Sequence, residues 1–257
     1  MKKLIFIHSV FLLLLAGCGK DAPVIVPPNA DPCLSSEAQE LKAQVDFKFG
    51  NQDFSYGTVY TLADGMKVRF SCAQFYLSKF SLENETTTTP QTSSNEVLAK
   101  PDAATSSLGK IPTGNYDTLN VAFGLDSTTN YGDPSTYPTG HPLSISFPSM
   151  HWSWSQGYLF ARIEGTYDPL EITDEHPGSN FDFHVGEFPS HQITFVKIPL
   201  TKIISACETN TIKLKIDLEK IFTAINLETE NNTATVTNKV LEAKIWVNLI
   251  SGVGSGE

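Results

Sequence analysis

Apolar residues recur at every second position over much of the chain, the period of a strand with one buried face. Val45, Phe47 and Phe49 alternate with Asp46 and Lys48. After the turn dipeptide Asp64-Gly65, the run from Met66 to Leu82 puts Val68, Phe70 and Cys72 on one parity. It continues with Phe75, Leu77, Tyr76 and Phe80. That change of parity predicts a bulge or a strand buried on both faces. A second alternating run, Tyr116, Leu119, Val121 and Phe123, follows the turn Pro112-Thr113-Gly114-Asn115. Further strands are predicted at Trp152 to Ile163, Phe181 to Val185, Ile193 to Leu200 and Ile212 to Ile216, with a closing strand from Val240 to Ile250.

Helical signals are few. A short turn fits Ser35 to Lys42, and Asp217 is placed to cap a helix carrying Leu218, Ile221, Phe222 and Ile225. Glu85 to Ser107 reads as a polar surface loop around a short strand near Val97, and Asp126 to Pro142 as a long loop rich in Asp, Asn, Gly and Pro. Many short strands, Gly and Pro turns and one short helix predict a mainly β fold, an antiparallel β-sandwich of immunoglobulin type.

The two ends change this picture. Met1-Lys2-Lys3, an apolar run from Leu4 to Leu15 and then Ala16-Gly17-Cys18 have the layout of a cleaved export signal, too short for a membrane span of about 20 residues. Leu15-Ala16-Gly17-Cys18 resembles the bacterial lipobox, which implies lipid on Cys18 and a lipoprotein held in the cell envelope, at the outer membrane or cell surface. Each buried acyl methylene contributes about 0.8 kcal/mol, so several chains anchor firmly. Residues 18–42, with Pro23, Pro27, Pro28 and Pro32, read as a tether. Gly252 to Glu257 reads as a frayed tail.

Cleavage leaves 257 − 17 = 240 residues and, by removing Lys2 and Lys3, moves the formal charge from −10 to −12. That balance excludes nucleic-acid binding, which needs clustered Lys and Arg. Cys33, Cys72 and Cys207 remain, an odd number in a compartment that permits disulfides. Their pairing stays open, and Cys72 and Cys207 read first as small buried apolar residues.

The chain carries no Gly-x-Ser-x-Gly elbow, His-Glu-x-x-His, phosphate-cradling loop or Cys-x-x-Cys, so no catalytic constellation assembles and a non-enzymatic role is expected. The densest cluster is Met150-His151-Trp152-Ser153-Trp154-Ser155-Gln156-Gly157-Tyr158. On a strand, Met150, Trp152 and Trp154 share one face, either as a core plug or as a soft, oxidisable metal environment. In Phe181-Asp182-Phe183-His184-Val185-Gly186, His184 shares the polar face with Asp182, and a carboxylate beside an imidazole orients it for a metal. Imidazole and thioether together favour Cu(I) over hard cations. The oxygen donors of Asp126 to Asp133 suit calcium, although their spacing departs from an EF-hand and a solvated turn is the competing reading.

Five ordered segments resemble the MbnP family. They are Phe70 to Phe80; Ile111 to Tyr116; Phe123-Gly124-Leu125-Asp126 with Asn130 and Asp133-Pro134; Met150 to Tyr158 with Glu164-Gly165; and Phe183-His184-Val185-Gly186. Together they place an MbnP-like domain at residues 43–250. The resemblance implies copper binding and a di-haem cytochrome c peroxidase partner that oxidises a tryptophan to kynurenine, whose amine joins histidines around Cu(I). Carried to this sequence, Trp152 or Trp154 is the candidate for oxidation, and His184, His151 and Met150 are the candidate ligands. The alternative is a surface interaction module that binds a glycan or another envelope protein through its aromatic loops.

Overall fold

The computed structural model describes residues 33, 37–84, 86, 91–92, 95–103, 105–145, 150–153, 156–186, 193–234 and 238–256, which fall in one unit, Pro32–Glu257. Residues 1–32, with the expected signal and Cys18, lie outside the described residues, as do Trp154 and His191.

Among the described residues the strands form two sheets, as the alternating pattern predicts. Sheet A contains β1 (Gln39–Phe49), β2 (Gln52–Asp53), β7 (Ser106–Ile111), β13 (Asn210–Asp217) and β14 (Val253–Ser255). Sheet B runs β11 (Ser179–Gly186), β10 (Gly157–Asp168), β4 (Lys67–Glu83), β8 (Gly114–Phe123) and β12 (Thr194–Ile204). Shorter strands border it: β3 (Val59–Thr61), β5 (Gln91–Thr92) and β6 (Val97–Ala99) on β4, and β9 (His151–Ser153) on β10. Pairing is antiparallel except between β1 and β13, which run parallel from Leu41 opposite Asn210 to Lys48 opposite Asp217. The inward rows meet in an aromatic core, in which Phe70 of sheet B lies edge-on to Phe49 of sheet A at 6.1 Å and to Phe181 and Phe222 at 5.6 and 5.8 Å.

The parity change in β4 is a bulge. Opposite β10 the register passes from Gly165 against Phe70 to Glu164 against Cys72, so Ser71 is extra. Val68 and Phe70 face the core before it, and Ala73, Phe75 and Leu77 after it. Cys72 is thereby moved to the outer face, a free and half-buried thiol rather than the small core residue expected. Burial pushes the thiol's pKa up to about 11, against a weaker opposing pull from Arg162. Cys207 also departs from its expected role. It forms a disulfide with Cys33 across 174 residues, with Cα atoms 5.1 Å apart.

Four expected elements differ. Val240 to Ile250 is helix, not strand: α2 (Lys239–Ser251) follows the one-turn α1 (Ser127–Asn130), is capped by the Asn238 side chain at Leu241 N, and buries Leu241, Ile245, Trp246 and Leu249. Trp246 closes one end of the core against Phe123 and Phe160 and donates to Thr194 Oγ1 at 3.1 Å. Asp217 does cap, but only the 3-10 turn Leu218–Phe222. The tail supplies β14, and the turn expected from Ser35 gives way to β1 at Gln39.

Candidate functional site

β10 and β11 pair with Arg162 opposite His184 and Glu164 opposite Asp182, while Ile163 and Phe183 point into the core. Strand alternation therefore sends Arg162, Glu164, Asp182 and His184 to the outer face of sheet B, with Gln74 and Cys72 of β4 in the same rows. These side chains converge on one carboxylate. Arg162 donates from Nε to Glu164 Oε1 at 2.6 Å and from Nη2 to Oε2 at 2.9 Å, and His184 Nε2 lies 2.6 Å from Oε1. The bonds from His184 and Arg162 outweigh burial and hold the Glu164 carboxyl down at about 2. Glu164 is therefore an anion at neutral pH, and it accepts from the Nε2–H of His184.

The other ring nitrogen, Nδ1, is fully buried and has no hydrogen-bond partner among the described residues. Buried polar atoms are nearly always paired, so this one asks for an explanation. The His184 side chain is 12% exposed, and the Trp152 ring sits against it, centroids 5.4 Å apart at 74°. Trp152 is itself 47% exposed, so it is not the core plug that its composition suggests. Met150 takes the core position, 1% exposed, with its carbonyl bound to Leu159 N.

The expected residues are thus divided. Trp152 and His184 meet. Met150 is packed into the interior, where its thioether contributes packing. His151 lies edge-on to Tyr158 at 5.0 Å, its pKa lowered by burial against a weaker opposing pull from Asp133. The carboxylate that orients His184 is Glu164, not Asp182, because cross-strand geometry brings the diagonal neighbour closer. Asp182 Oδ2 instead takes a 3.5 Å contact from Asn232 Nδ2. Among the described residues no three His, Cys, Asp or Glu side chains converge as a metal cluster.

Sequence reasoning passed over Arg162 and Glu164 as functional groups. The available signal was the period-two set 162, 164 on a strand whose odd positions are apolar. The Asp126 to Asp133 segment is spent on its own geometry: Asp126 caps Thr129 N and pairs with Lys79, and Asp133 caps Ser135 N. Asn130, 0% exposed, accepts Tyr158 N at 2.8 Å, and its amide lies where a Cβ on Gly157, at φ +72°, would stand only 2.5 Å away. Glycine at 157 is what lets the loop lock onto the β9–β10 hairpin.

Fold and site define a two-sheet β-sandwich protein with an imidazole, an indole and a half-buried ion pair on the outer face of its larger sheet. The MbnP family model matches residues 38–238, and the chain belongs to that family. Among solved structures it is similar to MbnP from Methylosinus trichosporium, with a TM-score of 0.50 and 14% identity over 77% of this chain and 82% of that one. At that identity the likeness concerns the fold. A search of curated proteins finds no sequence match.

Proposed function

We propose that this chain is an exported, lipid-anchored copper-binding protein that takes Cu(I) as cargo at His184 beside Trp152, with Cys18 as the lipid site. One observation carries the reading. His184 gives its Nε2 hydrogen to the Glu164 anion and keeps a buried Nδ1 that has no hydrogen-bond partner among the described residues, with an exposed indole against the ring. An imidazole whose second nitrogen is bound to a carboxylate is the usual form of a histidine ligand, and imidazole nitrogen suits copper. The residues present therefore fit the ion at one position. His151 and Met150, turned elsewhere, have no part in it.

An unmodified indole donates a proton and offers no nitrogen lone pair. Trp152 becomes a second ligand through oxidation by a di-haem peroxidase. Two equivalents of hydrogen peroxide cleave the C2–C3 bond, insert two oxygen atoms and leave two waters; hydrolysis of the formyl group releases formate and frees an aryl amine. The exposure of Trp152 suits access by such a partner. Trp154 is the other candidate for the same step.

Native mass spectrometry of the mature protein, made together with the peroxidase, tests this. The expected result is one copper per chain, a kynurenine mass on Trp152, and loss of copper in His184→Ala. No copper uptake with both tryptophans unmodified would overturn it. The second reading, a module binding a glycan or envelope protein, draws on the exposed Tyr131, Ile145 and Trp152. Glycan binding by a protein that takes up no copper would favour it.

A further inference from the structure

The strand that carries His184 is the last of sheet B, and among the described residues no strand lies beyond it. Such an edge normally leaves a row of backbone groups open to solvent or to another chain. Here the row is filled. Asp182 N donates to Asn231 O at 2.8 Å, His184 N to Thr233 Oγ1 at 2.7 Å, and Gly186 N to Glu242 Oε1 at 3.1 Å. In return Thr233 N donates to Asp182 O at 2.9 Å, and Thr233 Oγ1 donates to His184 O at 2.8 Å. One main-chain carbonyl, one hydroxyl and one carboxylate thus replace a neighbouring strand at alternate residues 182, 184 and 186.

Two of these choices are costly for packing alone. Glu242 is 3% exposed on α2, and apart from Gly186 N it meets Lys239 Nζ at 3.3 Å. An apolar side chain would fill that space without desolvating a charge. Thr233 uses its single hydroxyl on both backbone groups of one residue, His184, which lies 49 positions away. The imidazole hangs from that residue, and its 2.6 Å contact with Glu164 tolerates little backbone drift. Edge strands open locally before cores do, so what closes this edge also holds the ring still.

We propose that Thr233 and Glu242 are positioning residues for His184: they complete the edge of β11 with side-chain acceptors and so fix the imidazole against Glu164 and Trp152. The geometry stands by itself, and its consequence for metal retention rests on the copper reading above. Two measurements separate them: amide hydrogen exchange in the metal-free protein, and competition for Cu(I) with a chelator.

Thr233→Val keeps the shape and removes both hydroxyl bonds. It is expected to speed exchange of the His184 amide and to weaken Cu(I) retention, each by about tenfold, the worth of a net hydrogen bond or slightly more. Thr233→Ser restores both. Asn231→Ala removes the bond from the Asn231 side-chain amide to Tyr167 OH but leaves Thr233 in place, and is expected to change neither. Glu242→Gln is expected to speed exchange at Gly186 more than at His184. Unchanged His184 exchange in Thr233→Val overturns the proposal, as does an equal loss in Asn231→Ala, which would mean general loosening. A wild-type protein that takes up no copper defeats the copper reading, while the exchange data still decide whether Thr233 holds His184.

Discussion

Two polar regions lie on either side of the β9–β10 hairpin, and they use their side chains differently. In the 126–145 segment the polar atoms go into shaping the chain. Asp126 and Asp133 cap their turns, Asn130 receives Tyr158 N, His141 Nδ1 receives Leu143 N at 3.1 Å, and Tyr76 and Tyr158 donate to the carbonyls of Pro142 and Leu143. On the outer face of β10 and β11 a smaller set leaves two buried atoms over, His184 Nδ1 and Thr166 Oγ1, and of these only the imidazole nitrogen lies beside the Glu164 ion pair and Trp152. The difference teaches that density of polar residues is a poor guide to a site in this fold. The informative atoms are those that folding does not consume.

That contrast can be broken or sharpened by substitution. The largest expected effect is on the structural side. Asn130→Ala leaves the buried Tyr158 N–H without its acceptor and should cost about 2–3 kcal/mol in chemical denaturation, with Cu(I) binding retained. Loss of binding at unchanged stability would reverse the assignment of the two regions.

Next is Glu164→Gln, which removes the anion shared by Arg162 and His184. Losing the carboxylate partner of a histidine ligand typically costs 10- to 100-fold in metal affinity, so about that loss is expected. The same variant has a signature without metal. The Glu164 carboxyl is held near 2 in the folded protein against an ordinary 4.5, so it binds its proton less readily when folded. Its contribution to stability is present above the unfolded value and drains away as the pH falls from about 4.5 toward 2. The stability gap between wild type and variant should close over that window; a gap independent of pH would contradict the ion-pair geometry. Smallest is His151→Ala, expected to stay within about 0.5 kcal/mol in stability and to leave copper affinity unchanged.

Much of the fold was legible in alternation alone. Val45-Phe47-Phe49, Tyr116 to Phe123 and Phe181 to Val185 are strands because one face is apolar, and the bulge in β4 announced itself as a parity slip. Helix α2 was not legible as a helix. Val240 and Val247 are apolar yet exposed, so both parities looked buried and the β-branched content spoke for a strand. The four-residue spacing of Leu241, Ile245 and Leu249, with Asn238 as cap and Gly252 beyond, was the better signal. Of the site, His184 and Trp152 could be named from their segments. Glu164, Arg162 and Thr233 could not, because their relation to His184 exists only once strand register and the 49-residue return to the edge are set. The exposure of Trp152 was obscured for another reason: the core position that a tryptophan would fill belongs to Met150.

The disulfide has a mechanical side. Cys33 is bonded to the turn between β12, in sheet B, and β13, in sheet A, and its carbonyl also receives Ala206 N at 2.9 Å. Tension on the chain upstream of Cys33 therefore does not reach β1 as a force that unzips its hydrogen bonds one by one. It enters through a covalent link at the junction of both sheets and is shared between them, so the sandwich is loaded as a unit while the face bearing His184 carries none of the pull directly.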